Sequence, residues 1–431
     1  MTANFGAQEL YTTSMVLGKL TNFRRINHVF LSLLVSVVTL SASAAPRKPL
    51  DDTEVLEHLP GRAGDASSRE LAAMRAAMTS AANNPGPAAE LAQRYFDLAM
   101  ARGDPRYVGY AEAVIARFSD PLPASLRLIR GLLRQYRHDF DGALTDFAKA
   151  LELDPDFAAA HAWRGAIYLV QADYVAAQGE CDALQKIGRK TLFGACIGLV
   201  QAYGGKLEAA YRSLQQALAD TRDNDNRLWL LTRLGEVAAW RGQPALAEGH
   251  YREALALGRD DGYLLAAWGD FLLDSGRPAE VIKQLAGWEA SDSLLLRLAE
   301  AEAALKLPGA ARLAQMLDDR FAAAKLRGDT THRAEEARYR LRLRGDPAEA
   351  VRLAAENYRV QREPRDARIL LEAAIAAKDV AAARTVQDWL RSSGFEDAHL
   401  RRLGQELCKG ASPCGAPLPA VRAASPAGVP R

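Results

Sequence analysis

Between residues 124 and 157 the apolar positions fall three and four apart. Leu126, Ile129 and Leu133 mark one helix, with Gly131 in its middle. Phe140, Ala143, Leu144, Phe147, Ala150 and Leu151 share one face of a second. Asp154-Pro155 stops that second helix, because proline lacks an amide donor and disfavours helix in the residue before it. Small residues (Gly131, Ala143, Ala150) alternate with large ones, as two closely approaching antiparallel helices require.

A single helix pair of this length cannot bury its apolar face alone, so the pattern is expected to repeat. Ala143 recurs as Ala177, Ala210 and Ala247, then as Val281, Ala350 and Ala383. Gly131 recurs as Gly165, Gly198, Gly235 and Gly269. Between paired helices the turn recurs as Gly205-Lys206-Leu207, Gly242-Gln243-Pro244, Gly276-Arg277-Pro278 and Gly345-Asp346-Pro347. Proline there opens a helix, where its missing donor costs nothing.

The unit resembles a tetratricopeptide repeat, TPR, with Gly131, Ala143, Phe147, Ala150 and Pro155 matching that family's signature. The resemblance implies an all-α fold, a right-handed α-solenoid of TPR helix-turn-helix repeats. Five regular repeats are expected over residues 124–291, a degenerate one over 292–330 and two more over 331–396. A helix and a divergent first repeat precede them at 69–123, its second helix (107–118) lacking the usual alanine. Residues 397–410 read as a capping helix, with Arg401, Arg402, Gln405 and Glu406 as its polar outer face. The Ala-, Pro- and Ser-rich residues 411–431 read as a disordered tail.

Composition agrees with such an array: 431 residues, 49% hydrophobic and only 7% aromatic. The formal charge of +2 belongs to the N-terminus, where Lys19, Arg24 and Arg25 stand against Glu9. The remainder is neutral, which argues against a nucleic-acid binder, whose mark is a basic stripe.

Residues 1–45 have the order of an export signal. Lys19, Arg24 and Arg25 form a basic region, residues 29–40 an uncharged run, and Ala42-Ser43-Ala44 the small residues of a cleavage site. The run is shorter than the ~20 apolar residues of a membrane span. The basic region begins well after Met1, so Met15 is an alternative start to Met1. The residues after Arg24-Arg25 fit a twin-arginine signal poorly, and no cysteine near the cleavage site suits a lipid anchor. The mature chain is expected to be exported, in the periplasm, with 46–68 as an extended lead-in and no membrane span left after cleavage.

Candidate chemistry is sparse. No H-E-x-x-H, G-x-S-x-G or G-x-G-x-x-G motif occurs. Gly204-Gly205-Lys206 resembles a phosphate loop, but Leu207 stands where a magnesium-binding Ser or Thr belongs; a turn is the better reading. The histidines are scattered singly, and His161 and His250 lack the companion four residues away that would suggest a metal site. Arg338, Arg340, Arg342 and Arg344 read as a solvated helix with their stems over the core. Arg106, Tyr107 and Tyr110 read either as a binding feature or as packing against the next repeat. No catalytic residue, metal or cofactor is expected.

The four cysteines carry more, because export implies an oxidising compartment. Cys408 and Cys414 bracket a flexible loop and are expected to pair. Cys181 and Cys196 lie nearly equally far from the turn at Gly188-Arg189, and could be bridged or reduced.

The resemblance also implies that first helices line a concave groove for partner segments. Carried onto this chain, that groove includes Ile129, Leu132 and Tyr136, then Trp163, Val170 and Tyr203, then Trp229, Arg233, Glu236 and Trp240, then Tyr263, Asp270 and Asp274. Trp229, Arg233, Glu236 and Trp240 are spaced 4, 3 and 4 apart, which keeps them on one side of a helix. The lysine/asparagine clamp of chaperone-binding members is missing. The expected function is a non-catalytic scaffold for an unidentified protein or peptide. A part in assembling or exporting envelope polysaccharide or a surface appendage, and a sensory solenoid for a small molecule or glycan, are the alternatives.

Overall fold

The computed structural model describes residues 66–81 and 83–409. The expected signal peptide, the lead-in as far as residue 65, Cys414 and the tail lie outside them.

Twenty α-helices follow one another among the described residues. A leading helix, α1 (Ala66–Ser80), precedes nine antiparallel pairs. The first three pairs are α2 (Pro85–Arg102) with α3 (Arg106–Ile115), α4 (Ala124–Tyr136) with α5 (Phe140–Leu153), and α6 (Ala158–Val170) with α7 (Tyr174–Lys186). Next come α8 (Lys190–Tyr203) with α9 (Leu207–Asp220), α10 (Asn224–Trp240) with α11 (Pro244–Ala256), and α12 (Gly262–Asp274) with α13 (Pro278–Leu285). The last three are α14 (Asp292–Ala304) with α15 (Gly309–Leu326), α16 (Arg333–Arg342) with α17 (Pro347–Tyr358), and α18 (Pro364–Ala377) with α19 (Arg384–Ser393). The unpaired α20 (Ala398–Leu407) packs on α18. The expected all-α solenoid of helix-turn-helix repeats is what the structure shows.

Eight of the nine pairs bury a small residue at the same place. Ala143, Ala177, Ala210, Ala247, Val281, Ala350 and Ala383 are all completely buried. In the divergent first pair Val108 takes that place and is 2% exposed. In three pairs a large side chain four residues further along the second helix lies against a glycine of the first. A Cβ on Gly131 would come within 2.3 Å of the Phe147 ring, one on Gly198 within 2.7 Å of Leu214, and one on Gly235 within 2.7 Å of Tyr251. The glycines are therefore sockets for the partner helix's ring or isobutyl group.

The third pair departs from this rule. Cys181 stands where the others carry Phe147, Leu214, Tyr251 or Leu285, and it is bonded to Cys196 of α8, with Cα atoms 5.5 Å apart. A Cβ on Gly165 would meet Glu180 at 3.4 Å and Cys196 Sγ at 3.6 Å, which is ordinary contact. The bridge replaces a bulky side chain and staples one pair to the next.

The turns need one residue in the left-handed region, two positions before the second helix begins. Gly205, Gly242, Gly276 and Gly345 supply it at φ 74°, 71°, 68° and 61°. His138 and Ala172 adopt the same conformation without glycine, at φ 60° and 61°.

First helices stack on first helices, forming an inner layer; α4 touches α6, α6 touches α8, and the sequence continues from α10 through α18. The described helices fall in one compact unit and do not simply march outward. Instead α2 returns against α12, where a Cβ on Gly262 would lie 3.2 Å from the Met100 carbonyl oxygen. The core divides into two clusters, one from Leu71 to Ile167 and one from Leu169 to Leu407, so the seam crosses α6.

Two expectations need correction. Arg401 is buried rather than part of a polar outer face, because its guanidinium donates to the carbonyl oxygens of Phe395 and Gly394, both at 2.8 Å. Arg402, Gln405 and Glu406 are exposed as expected. Arg338 is not solvated: it is enclosed against two carboxylates.

The socket geometry separates two outwardly similar substitutions. Gly131→Ala forces a methyl group into the Phe147 ring and is expected to cost about 1–3 kcal/mol through overpacking. Gly165→Ala meets no such obstacle and gains up to about 1 kcal/mol of helix propensity. Urea unfolding of the two variants checks both signs. For the bridge, Cys181→Ser is expected to lose about 3 kcal/mol, given a closed loop of ~15 residues, and dithiothreitol is expected to reproduce that loss in the unmutated chain.

Candidate partner-binding face

The inner layer encloses a cavity of about 650 Å³. Successive first helices contribute charge to its wall: Glu236 from α10, Asp270 from α12, Arg297 from α14, Arg338 from α16 and Arg368 from α18, with Arg402 from the closing α20. The first five are held in ion pairs. Asp270 binds Arg297 at 2.5 Å and Arg338 at 2.7 Å. Arg338 also forks onto Glu300 at 2.6 and 2.7 Å. Arg342 joins Glu300 (3.2 Å) to Glu372 (2.7 Å), and Arg368 joins Glu372 (2.7 Å) to Asp274 (2.6 Å). Two or three opposite charges surround most members, which offsets the loss of water.

The electrostatics follow from this packing. Burial alone would raise the Asp270 pKa, but Arg297 and Arg338 overcome it and hold the carboxyl well below its usual 3.8. Glu372 is likewise depressed against its burial, by His399, Arg368 and Arg342. Asp366 behaves oppositely: its burial outweighs the pull of Arg365, and the nearby Glu363 charge raises its pKa further. Asp366 and Glu363 cap the start of α18 reciprocally, and Asn357 donates to Asp366 at 2.9 Å.

The residues expected to form one groove fall into separate groups. Arg233 donates to Glu236 at 2.9 Å and to the Tyr263 hydroxyl, which donates to Glu236 at 2.6 Å. The Arg233 guanidinium also lies over the rings of Tyr263 (4.2 Å) and Trp229 (5.3 Å). These four side chains are thus each other's partners. Tyr203 and Trp240 form a second group around Phe395, while Asp270 belongs to the arginine network.

Tyr136 and Trp163 lie apart from both groups, packed on the N-terminal cluster. Burial, with Asp329, Asp292 and Glu335, pushes the Tyr136 hydroxyl up to about 12. Trp163 meets Phe96 edge-on at 6.1 Å. Near them a cavity of about 390 Å³ is floored by Met74, Leu128, Ile129 and Phe157.

Arg106 pairs with Asp104 at 2.6 Å, and Tyr107 and Tyr110 pack on Tyr95 at 6.3 and 5.5 Å. Packing thus accounts for both rings, although Tyr110 keeps half its surface exposed. His161 is held by Glu180 at 2.7 Å. Among the described residues no cluster of three metal-ligating side chains occurs, and no helix is long and apolar enough to cross a membrane.

Sequence spacing missed Phe395, Glu300, Arg297 and Arg368. The first closes the aromatic group, and the other three complete the ion network. The unusual arginine density of residues 338–344 was the available signal. Spacing within one helix could not reveal that Arg338 reaches Asp270, 68 positions away.

No protein-family model and no curated protein matches the chain. Among solved structures it is similar to pilF of Pseudomonas aeruginosa, at 21% identity over 46% of this chain and 92% of that one, with a TM-score of 0.36. It is also similar to a tetratricopeptide repeat protein from Parabacteroides merdae, at 14% identity over 58% and 91%, TM-score 0.39. A third likeness is to the P58(IPK) TPR domain, at 16% identity over 74% and 96%, TM-score 0.20. At these values the fold rests on the chain's own packing.

The Asp270 network gives a prediction with a defined sign. The folded pKa of Asp270 lies below its unfolded value, so its stabilisation is complete above about pH 4 and is lost as pH falls further. Asp270→Asn is expected to cost about 3 kcal/mol at pH 7, since it leaves buried guanidinium charge uncompensated. Urea titrations should show the gap between variant and parent narrowing steadily below pH 4. A gap independent of pH would refute this account of Asp270.

Proposed function

We propose that the chain is a non-catalytic scaffold, exported to the periplasm, that holds another protein or peptide against its inner face. One observation carries this reading: five successive first helices and α20 converge on a single concavity, which α10 and α12 line with carboxylates and α14, α16, α18 and α20 with guanidinium groups. Such a wall recognises a partner by the pattern of charge along its surface, and the surrounding rings of Trp240 and Phe271 supply apolar contact. The Cys181–Cys196 bridge supports export, because structural disulfides persist in oxidising compartments.

A ligand-sensing solenoid has the cavity volume in its favour, since small-molecule sites measure ~300–1,000 Å³. Its lining argues the other way. Such sites carry only a few polar groups, whereas this wall carries several ion pairs, among them Asp270 with Arg297 and Arg338.

Location and binding are tested separately. Chain recovered from the periplasm of a Gram-negative host is expected to begin near Ala45 and to have the Cys181 and Cys196 thiols blocked to alkylation. Full-length cytosolic chain with reactive thiols would contradict export. For binding, a photo-crosslinking residue is placed at Glu335, which lines the cavity, or at Val175, which is 86% exposed on α7. In native envelope extract, Glu335 is expected to capture a discrete partner that Val175 does not. Equal capture from both positions would exclude the inner face as the binding surface.

A further inference from the structure

The inner face between α8 and α10 is already occupied by the chain's own C-terminal segment. Phe395 is completely buried in a box of rings: Trp389 at 5.2 Å, Trp240 at 5.3 Å and Tyr203 at 6.4 Å between centroids. Two of those rings belong to the inner layer, roughly 150–190 positions earlier in the chain.

The residues on either side of Phe395 are engaged as specifically. Before it, Gly394 lies against the α8–α9 turn so closely that a Cβ on Gly205 would come 2.5 Å from the Gly394 carbonyl oxygen. After it, the Glu396 carboxylate accepts a hydrogen bond from the backbone N–H of Leu207, at 3.0 Å, in the first turn of α9. That N–H is one of the donors a helix start leaves unsatisfied, and the helix dipole favours an anion there.

Three consecutive residues thus meet three different devices: a glycine that permits backbone approach, an aromatic box and a helix N-terminus. Their sum is peptide recognition carried out within one chain. We infer that the α8–α10 face is a docking site for a partner segment of the form glycine–aromatic–acidic, with residues 394–396 as its built-in occupant. This deepens the scaffold reading and rests on it.

The occupant's side-chain contacts are one ring in the aromatic box and one carboxylate at a helix start. In trans such a segment binds weakly. In cis its effective concentration reaches the millimolar range, which keeps the face closed until a competing segment is presented at a comparable local concentration. Further cis contacts, from Trp389 Nε1 to the Tyr174 hydroxyl (2.7 Å) and from the Arg362 N–H to the Val170 oxygen (2.7 Å), hold the segment's approach.

The test uses a fluorescein-labelled hexapeptide with the sequence of residues 393–398, SGFEDA, and the full-length chain. Anisotropy titrations are expected to show at least tenfold tighter binding to the F395A/E396A variant than to the parent, with the gain abolished by adding W240A. Hydrogen exchange of the parent is expected to show residues 394–407 opening before α8, α9 and α10. Equal peptide binding by parent and variant, or equal protection of 394–407 and α8–α10, overturns the proposal. If F395A/E396A does not fold, exchange in the parent decides alone. A parent chain that is dimeric, and monomeric as F395A, assigns the box to a second copy and also overturns partner docking. The probe is synthetic, so its failure leaves the Glu335 cross-linking test of the scaffold reading intact.

Discussion

Two helices can lie this close only where one surrenders its side chain to the other, and the whole chain depends on that exchange. Gly131, Gly198 and Gly235 are sockets, and Phe147, Leu214 and Tyr251 are what they receive. Fully buried alanines one turn away remove the remaining obstacle. Each pair gains little by itself, because its other faces remain apolar, so stability comes from stacking. At Cys181 the large residue is absent, and a covalent bond to the next pair stands in its place.

Electrostatics then determine what the inner layer can do. Once first helices stack on first helices, the charges on their inward sides are cut off from much of the solvent. The answer here is a chain of shared partners running from Arg297 through Asp270, Arg338, Glu300, Arg342 and Glu372 to Arg368. Such a network holds four helices in fixed register, and its geometry is sensitive to the loss of any one member. Depressed carboxylate pKa values at Asp270 and Glu372 are consequences of the arrangement rather than signs of catalysis.

The repeating part of the fold was legible because it is local. Ala143 and its successors mark the contact within each pair, and spacing alone identified them. What spacing cannot show is which distant surface covers a given face. The alternating arginines from 338 to 344 looked solvated because the carboxylates that enclose Arg338 (Glu300 and Asp270) lie on other helices. Arg401 misled for the same reason, its acceptors being backbone carbonyls of the preceding turn. The expected groove residues lie on first helices, yet Phe395 packs against two of them, Tyr203 and Trp240, and a periodic pattern contains no record of such a return.

The contact of α2 with α12 has a consequence for how the chain tolerates change in length. An open array accepts the loss or duplication of a repeat, since every junction resembles the next. Here the Met100 carbonyl must arrive at Gly262, and it does so only after a set number of steps. Removing one pair between them would leave each local interface intact and still put the closing contact out of phase by a full repeat. The number of repeats between α2 and α12 is therefore a structural constant of this protein, fixed by geometry in the way the strand number of a closed barrel is.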